Sequence, residues 1–210
     1  KDAYIIGTGG HVRSILSLIR NEFSKKYNVK KIYSLDGKIL ESDKNLNIQI
    51  EKFNINKIKI SNEDCYFLAI GDVNIRKKFY TKLIKKNASL PNLFSKYSLI
   101  DKTAEIGSSN IILPYSKVGP YVNIKNNNLI NNFANIDHEV VINNHCNCNP
   151  GSVICGRVIL GELVIIGANA TVIENLNIHS GTYLGAGSVM IKNTRLPHNK
   201  YVGIPAKIIR

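Results

Sequence analysis

Tryptophan is absent from this chain, methionine occurs once, and only four cysteines and six prolines are spread over 210 residues. So few cysteines exclude a disulfide-stapled mini-domain, and without a Gly-X-Y period the prolines exclude a collagen-like fibre. No run approaches the roughly 18 consecutive apolar residues of a membrane-spanning helix, which excludes an integral helical membrane protein. A basic-then-apolar leader is also lacking. The chain starts at Lys1 rather than Met, so a few native residues are expected ahead of it. Four cysteines without a leader fit a reducing cytoplasm, and no membrane partner is expected.

Acidic side chains are scarce as well. Asp and Glu number 15 against 28 Lys and Arg, a formal charge of +13. Most of the surplus sits in residues 1–98, with 19 basic and 9 acidic side chains, against 9 and 6 in residues 99–210. A basic surplus is one mark of nucleic-acid binders. Here Lys, Asn and Ile are abundant together along the whole chain, which reads as compositional bias. Arg76, Lys77, Lys78, Lys82, Lys85 and Lys86 fall on helix faces in the pattern of a solvated surface, so nucleic acid is not an expected partner. A basic first half could equally attract a small phosphorylated substrate. Hydrophobic residues make up 44%, enough for a folded core.

What is present divides into two halves with different periods. Ala3-Tyr4-Ile5-Ile6 reads as a strand and runs into Gly7-Thr8-Gly9-Gly10. A helix follows, with Val12, Ile15, Leu16, Ile19 and Phe23 on one face. Lys31–Leu35 is a second strand ending at Asp36-Gly37, and Cys65–Ile70 a third ending at Gly71. Asp72 then caps a basic helix through Lys86, with Val73, Arg76, Phe79, Tyr80, Leu83 and Ile84 at helical spacing. Strands alternating with helices predict a short Rossmann-like α/β domain with a parallel sheet over residues 1–98.

From Ile100 the rule changes. Every sixth residue, nineteen in all from Ile100 through Ile106, Ile112 and onward to Val202 and Ile208, is aliphatic, Cys or Met. Four residues after many of them stands a small or β-branched side chain, as at Ala134, Val140, Ser152, Val158 and Ala170. Six residues make a short strand plus a tight turn, and three such units close one triangular coil with the aliphatic residue inside. Residues 99–210 are therefore expected to form a parallel β-helix. The six-residue register is expected to run unbroken to Ile208, with Tyr201–Lys207 capping the end.

Three motifs stand out against this frame: Gly7-Thr8-Gly9-Gly10-His11 after the first strand, Ala69-Ile70-Gly71-Asp72 followed by Ile75-Arg76-Lys77-Lys78, and Ile136-Asp137-His138-Glu139 within the repeats. The first lacks the third glycine of a dinucleotide fingerprint, because Val12 stands there, so an NAD site is not expected. Its backbone N–H groups at Gly9 and Gly10 can still receive an anion. His138 lies at a turn between coil faces, flanked by Asp137 and Glu139. Imidazole titrates near neutrality and suits a general base, and either carboxylate could fix its tautomer. His145, Cys146, Cys148 and Cys155 lack the paired C-x₂-C spacing of structural zinc, so no metal is expected.

With these motifs and its Val202-Gly203-Ile204-Pro205-Ala206-Lys207 ending, the chain resembles the bacterial hexapeptide-repeat sugar acetyltransferases. Within them it is similar to the nucleotide 4-amino-sugar N-acetyltransferases of the bacillosamine and perosamine type and to the sialic acid O-acetyltransferase group. The resemblance implies a left-handed β-helix, a homotrimer with active sites at subunit interfaces, and acetyl-CoA as co-substrate; the alternative of a non-catalytic β-helix scaffold is disfavoured by His138 standing beside two carboxylates. The resemblance also implies that His138 is the catalytic base assisted by the following acidic residue, Glu139, and that the Gly156 N–H faces the developing oxyanion. It assigns the nucleotide sugar to Gly9, Gly10, His11, Asp36, Gly37, Gly71 and Asn131. It assigns acetyl-CoA to Asn147, Ala168 and Ala186. Asn147 departs from the family pattern, which often has a second His there; Asn can hydrogen-bond a pantetheine amide but cannot move a proton.

Overall fold

The computed structural model describes residues 1–7, 9–35, 37, 45–54, 58 and 60–209. It divides into two compact units, Lys1–Pro91 and Asn92–Arg210. The division falls seven residues before the 98/99 boundary read from the sequence. Leu93-Phe94 already pairs in parallel with Ile111-Ile112 and so belongs to the first coil.

In the first unit the elements run β1 (Asp2–Gly7), α1 (Gly10–Glu22), β2 (Asn28–Ser34), β3 (Gln49–Lys52), β4 (Cys65–Ala69) and α2 (Val73–Ile84). The strands are all parallel, in the order β3-β2-β1-β4. β3 escaped the sequence reading because it is a short edge strand, Gln-Ile-Glu-Lys, with its side chains largely in solvent. α1 buries Val12, Ile15, Leu16, Leu18 and Ile19. α2 begins where expected, with the Asp72 carboxylate accepting from Asn74 N and Ile75 N at 2.9 Å each. It stops at Ile84, two residues short of the expected end. Gly7 is dictated by its neighbour: a Cβ there would collide with the Ala69 carbonyl across the β1–β4 pair.

The second unit is a parallel β-helix with three faces. Its first face holds two-residue strands at 93–94, 111–112, 129–130, 147–148, 165–166 and 183–184; its second runs from 99–100 to 189–190; its third runs from 105–106 to 177–178. Each strand pairs with the one 18 residues later, as Asn123 with Val141 and Asn135 with Val153. The inner columns are dry. Val118, Ile124, Ile130, Ile136, Ile142, Cys148, Ile154, Leu160, Ile166 and Val172 form one continuous cluster. The small residues four positions on point inward too, with Ala134, Val140, Ser152, Val158 and Ala170 all buried. At each corner from Ser109 to Gly187 the third residue adopts a left-handed φ of 54–70°.

The expected six-residue register fails in the last coil. Leu184 pairs with Tyr201, not Val202, so one residue is missing from the count. Leu196 is 63% exposed, and the segment around it forms no strand. The strand 200–202 then turns back on 207–209 as an antiparallel pair, ending the first face as a cap. Leu196, Val202 and Ile208 match the repeat by type but not by position.

The missing residue in the last coil predicts a ranking of substitutions. Ile154→Ala, in the dry column, should cost about 2–5 kcal/mol in denaturant unfolding. Tyr201→Ala should cost clearly more than Val202→Ala, which the unbroken six-residue count would rank the other way.

Candidate active site

The three corners of the β-helix give each candidate residue an address. The corner between the second and third faces carries residues 119–122, 137–140, 155–158 and 173–176 in successive coils. His138 stands there with its side chain 39% exposed. Its Nδ1 lies 2.9 Å from Glu139 Oε2, whereas Asp137 Oδ2 is 3.9 Å from Nε2, beyond hydrogen-bond length. Of the two carboxylates left open by the sequence, Glu139 is therefore the one that holds the ring. The His138 hydrogen bond, and after it that of Arg157, holds the Glu139 carboxyl below the usual carboxylate range. An ionised carboxylate only accepts, so the Nδ1–H tautomer is the one that can donate to it, with Nε2 as the ring's accepting nitrogen. Asp137 instead approaches Lys117 Nζ at 3.8 Å.

Gly156 lies one coil above His138, and its lack of a side chain is used. A Cβ there would run into His138 Cε1 and Nε2, so the ring occupies the slot that any other residue would fill. Cys155, beside it, has its thiol pushed up by burial and by the Glu174 and Asp137 carboxylates, so it remains a neutral thiol rather than a nucleophile. Sequence reading passed over Arg157 and Asn175, which stand one and two coils above Glu139. Arg157 Nη1 is 3.4 Å from Glu139 Oε2, and its Nε donates to Asn175 Oδ1 at 2.8 Å. The signal that could have found them is the 18-residue step from Glu139.

Other candidates fall on different parts of the prism. Asn131, Ala168 and Ala186 share the corner between the first and second faces. Asn131 Oδ1 accepts from Asn132 N at 2.9 Å, and Gly187 N donates to Ala168 O at 2.8 Å. Ala186 is exposed. In the lower coils of this same corner Tyr97, Tyr115 and Phe133 stack with ring centroids 6.0 and 5.3 Å apart. Asn147 is buried on the first face. His145, at the third corner, is buried with its Nδ1 2.7 Å from Asn127 Nδ2. Within one chain these residues do not meet His138.

In the first unit Gly9, Gly10, His11 and Gly71 gather where β1 and β4 end. β2 and β3 lie on one side of β1 and β4 on the other, so this is the point where strand order reverses and ligands commonly enter an open α/β sheet. Gly9 (φ 82°) lets the chain turn into α1 without a side-chain cap. The His11 ring lies 3.4 Å from the position of a Gly71 Cβ. Burial, and then the Arg76 charge, push the His11 pKa down, so it is neutral at physiological pH. Arg76 itself is buried and donates to Ile70 O at 3.0 Å. It is not part of a solvated basic face as its sequence neighbours implied. Gly37 N donates to Ser34 Oγ at 3.0 Å. Asp36 and Thr8 lie outside the described residues.

Residues 2–83 match the family described as the PglD N-terminal domain. Over the whole chain the structure is similar to the acetyltransferase domain of PglB from Neisseria gonorrhoeae FA1090, with a TM-score of 0.89, 22% identity and 99% of each chain covered. It is similar to PerB from Caulobacter crescentus, crystallised with CoA and GDP-perosamine, with a TM-score of 0.86, 25% identity and 100% of this chain and 98% of that one covered. WeeI from Acinetobacter baumannii AYE also aligns over both whole chains, with a TM-score of 0.64 and 18% identity. The family match thus covers the first unit, and the likeness over the whole chain is one of fold to PglB, PerB and WeeI.

Gly156→Ala should displace the His138 ring while leaving the coil intact. The check is a crystal structure, or the His138 ring resonances, beside an unchanged circular dichroism spectrum.

Proposed function

We propose that the chain is an acetyl-CoA-dependent N-acetyltransferase that acetylates the 4-amino group of a nucleotide-linked 4-amino-4,6-dideoxy sugar, for surface glycan or glycoprotein synthesis. The observation that carries the reading is the 2.9 Å contact between His138 Nδ1 and Glu139, which leaves Nε2 as the nitrogen that can accept a proton. An ammonium is no nucleophile, so the sugar amine must lose a proton as its nitrogen attacks the thioester carbonyl. His138 Nε2 accepts that proton, the C–S bond breaks, and CoA leaves as the thiolate. In this scheme the Gly156 N–H stabilises the oxyanion, and Asp137 lends charge at the edge of the site. PerB, similar over its whole length, was crystallised with CoA and GDP-perosamine, which supports both co-substrates.

The first unit, about residues 1–91, is proposed to hold the nucleotide sugar at Gly9, Gly10, His11 and Gly71, with Asp36 and Gly37 contributing; Asn131 of the β-helix is proposed separately as a sugar contact. The neutral His11 suits a hydrogen bond to an uncharged base or sugar hydroxyl. Acetyl-CoA is proposed to lie along the corner of Ala168 and Ala186, where small side chains leave the wall bare, with Asn147 on its pantetheine. His138 stands at a different corner. A homotrimer that sets one chain's His138 beside its neighbour's Ala168–Ala186 corner would complete the site. We propose that the reaction takes place in the cytoplasm, where acetyl-CoA and nucleotide sugars are made; among the described residues no helix is long and apolar enough to cross a membrane.

Thiol release from acetyl-CoA tests this, with UDP- or dTDP-linked 4-amino-4,6-dideoxy sugars and, separately, free sialic acid. Release with the amino sugar, reduced about 10²–10⁴-fold in His138→Ala, is the expected result. Release with sialic acid alone would move the chain to the O-acetylating group, and no binding of CoA would sink the enzymatic reading.

A further inference from the structure

The carboxylate that orients His138 is not free to choose its position. Glu139 is half in water, and a carboxylate on a turn would ordinarily sample several rotamers. Here its Oε2 is shared: His138 Nδ1 lies 2.9 Å away on one side and Arg157 Nη1 3.4 Å away on the other. Arg157 is in turn clamped from the next coil by the 2.8 Å hydrogen bond from its Nε to Asn175 Oδ1. The backbone repeats the same ladder, with Arg157 N donating to His138 O and Asn175 N to Gly156 O, each at 3.0 Å. Three coils therefore contribute one chain of contacts, Asn175 to Arg157 to Glu139 to His138, and it ends on the nitrogen opposite the one that would take the proton.

We infer that Arg157, held by Asn175, is a positioning residue that pins the Glu139 carboxylate on His138 Nδ1 and so locks the imidazole in the Nδ1–H tautomer. Its consequence for catalysis rests on the acetyltransferase reading above; the tautomer lock does not. Guanidinium suits the task because it stays charged and is planar, so its Nε is spent on Asn175 while Nη1 reaches Glu139. Lysine, a single flexible point charge, cannot make both contacts. Without Arg157 the carboxylate swings into solvent, and a neutral imidazole without such a partner favours its proton on Nε2, where the reaction needs a lone pair.

Two measurements on the full-length protein separate this from a merely structural role. Ring ¹⁵N shifts of neutral His138 should report a protonated Nδ1 and a bare Nε2 in the wild type. In Arg157→Ala, and more weakly in Asn175→Ala and Arg157→Lys, the populations should move toward Nε2–H while the backbone spectrum away from that corner stays unchanged. Kinetically, Arg157→Ala should lower kcat on the order of tenfold with KM little changed. In a Glu139→Gln background the same change should add less than about twofold, because the two act through one contact. Unchanged ring shifts in Arg157→Ala, or full additivity with Glu139→Gln, would overturn the inference even if acetyl transfer proceeds. A shifted tautomer in a protein that transfers no acetyl group would sustain it while the proposed function fell.

Discussion

Backbone hydrogen bonds between successive coils fix every other position in the β-helix. Glu139 N donates to Pro120 O at 2.9 Å, Arg157 N to His138 O and Asn175 N to Gly156 O at 3.0 Å, and the same spacing recurs around all three faces. Because the register is constant up to the last coil, each residue sits beneath the one 18 places later. That turns a corner into columns. His138 and Gly156 share one column; Glu139, Arg157 and Asn175 share the next. A site can then be written by choosing residue types in two adjacent columns, with no loop to be ordered and no helix to be docked. The glycine in the first column makes room for the ring, and the second column supplies the charges that aim it.

The corners that carry these columns adopt a left-handed backbone at their third residue, mostly at non-glycine positions such as Tyr115, Phe133 and Leu163. For an L-residue that conformation costs about 1–2 kcal/mol. It persists because each turn delivers inward residues on both sides: fully burying a single Ile, Leu or Val contributes about 1.5–3 kcal/mol. The period of six is the visible mark of that balance. It also explains why aromatic and charged side chains are tolerated at the tips of turns, where residue type is free once the inner columns are filled.

That division between inner columns and turn tips decides what could be read from sequence. The inner columns are a matter of residue type, so Ile136, Cys148 and Ile154 announced the β-helix plainly. The Rossmann-like sheet was legible from its apolar strands and from Asp72, but edge strand β3 was not, because Gln49 and Glu51 carry no apolar alternation. The count failed at Tyr201 because aliphatic type alone does not reveal a missing residue in an exposed segment. At the site, sequence spacing brought out His138 and both flanking acids but could not choose between them. The choice depends on which carboxylate faces Nδ1, a matter of turn geometry. Arg157 and Asn175 were invisible for a different reason: they are distant in sequence and adjacent only through coil register.

The placement of the charged chain in water bears on what it is for. His138, Glu139 and Arg157 are all substantially exposed in the single chain. Exposed ion pairs contribute little to folding, since solvent screens them and ordering two long side chains opposes them. The fold would stand on its inner columns with any soluble residues at these positions. What the pairs do control is which ring nitrogen carries the proton, and a weak exposed contact suffices for that because the two tautomers of imidazole lie close in energy. A base must keep its accepting nitrogen open to an incoming substrate, so its orienting groups must act from the far side of the ring. In this β-helix Glu139 does so from the same turn, and Arg157 steadies it from the next coil.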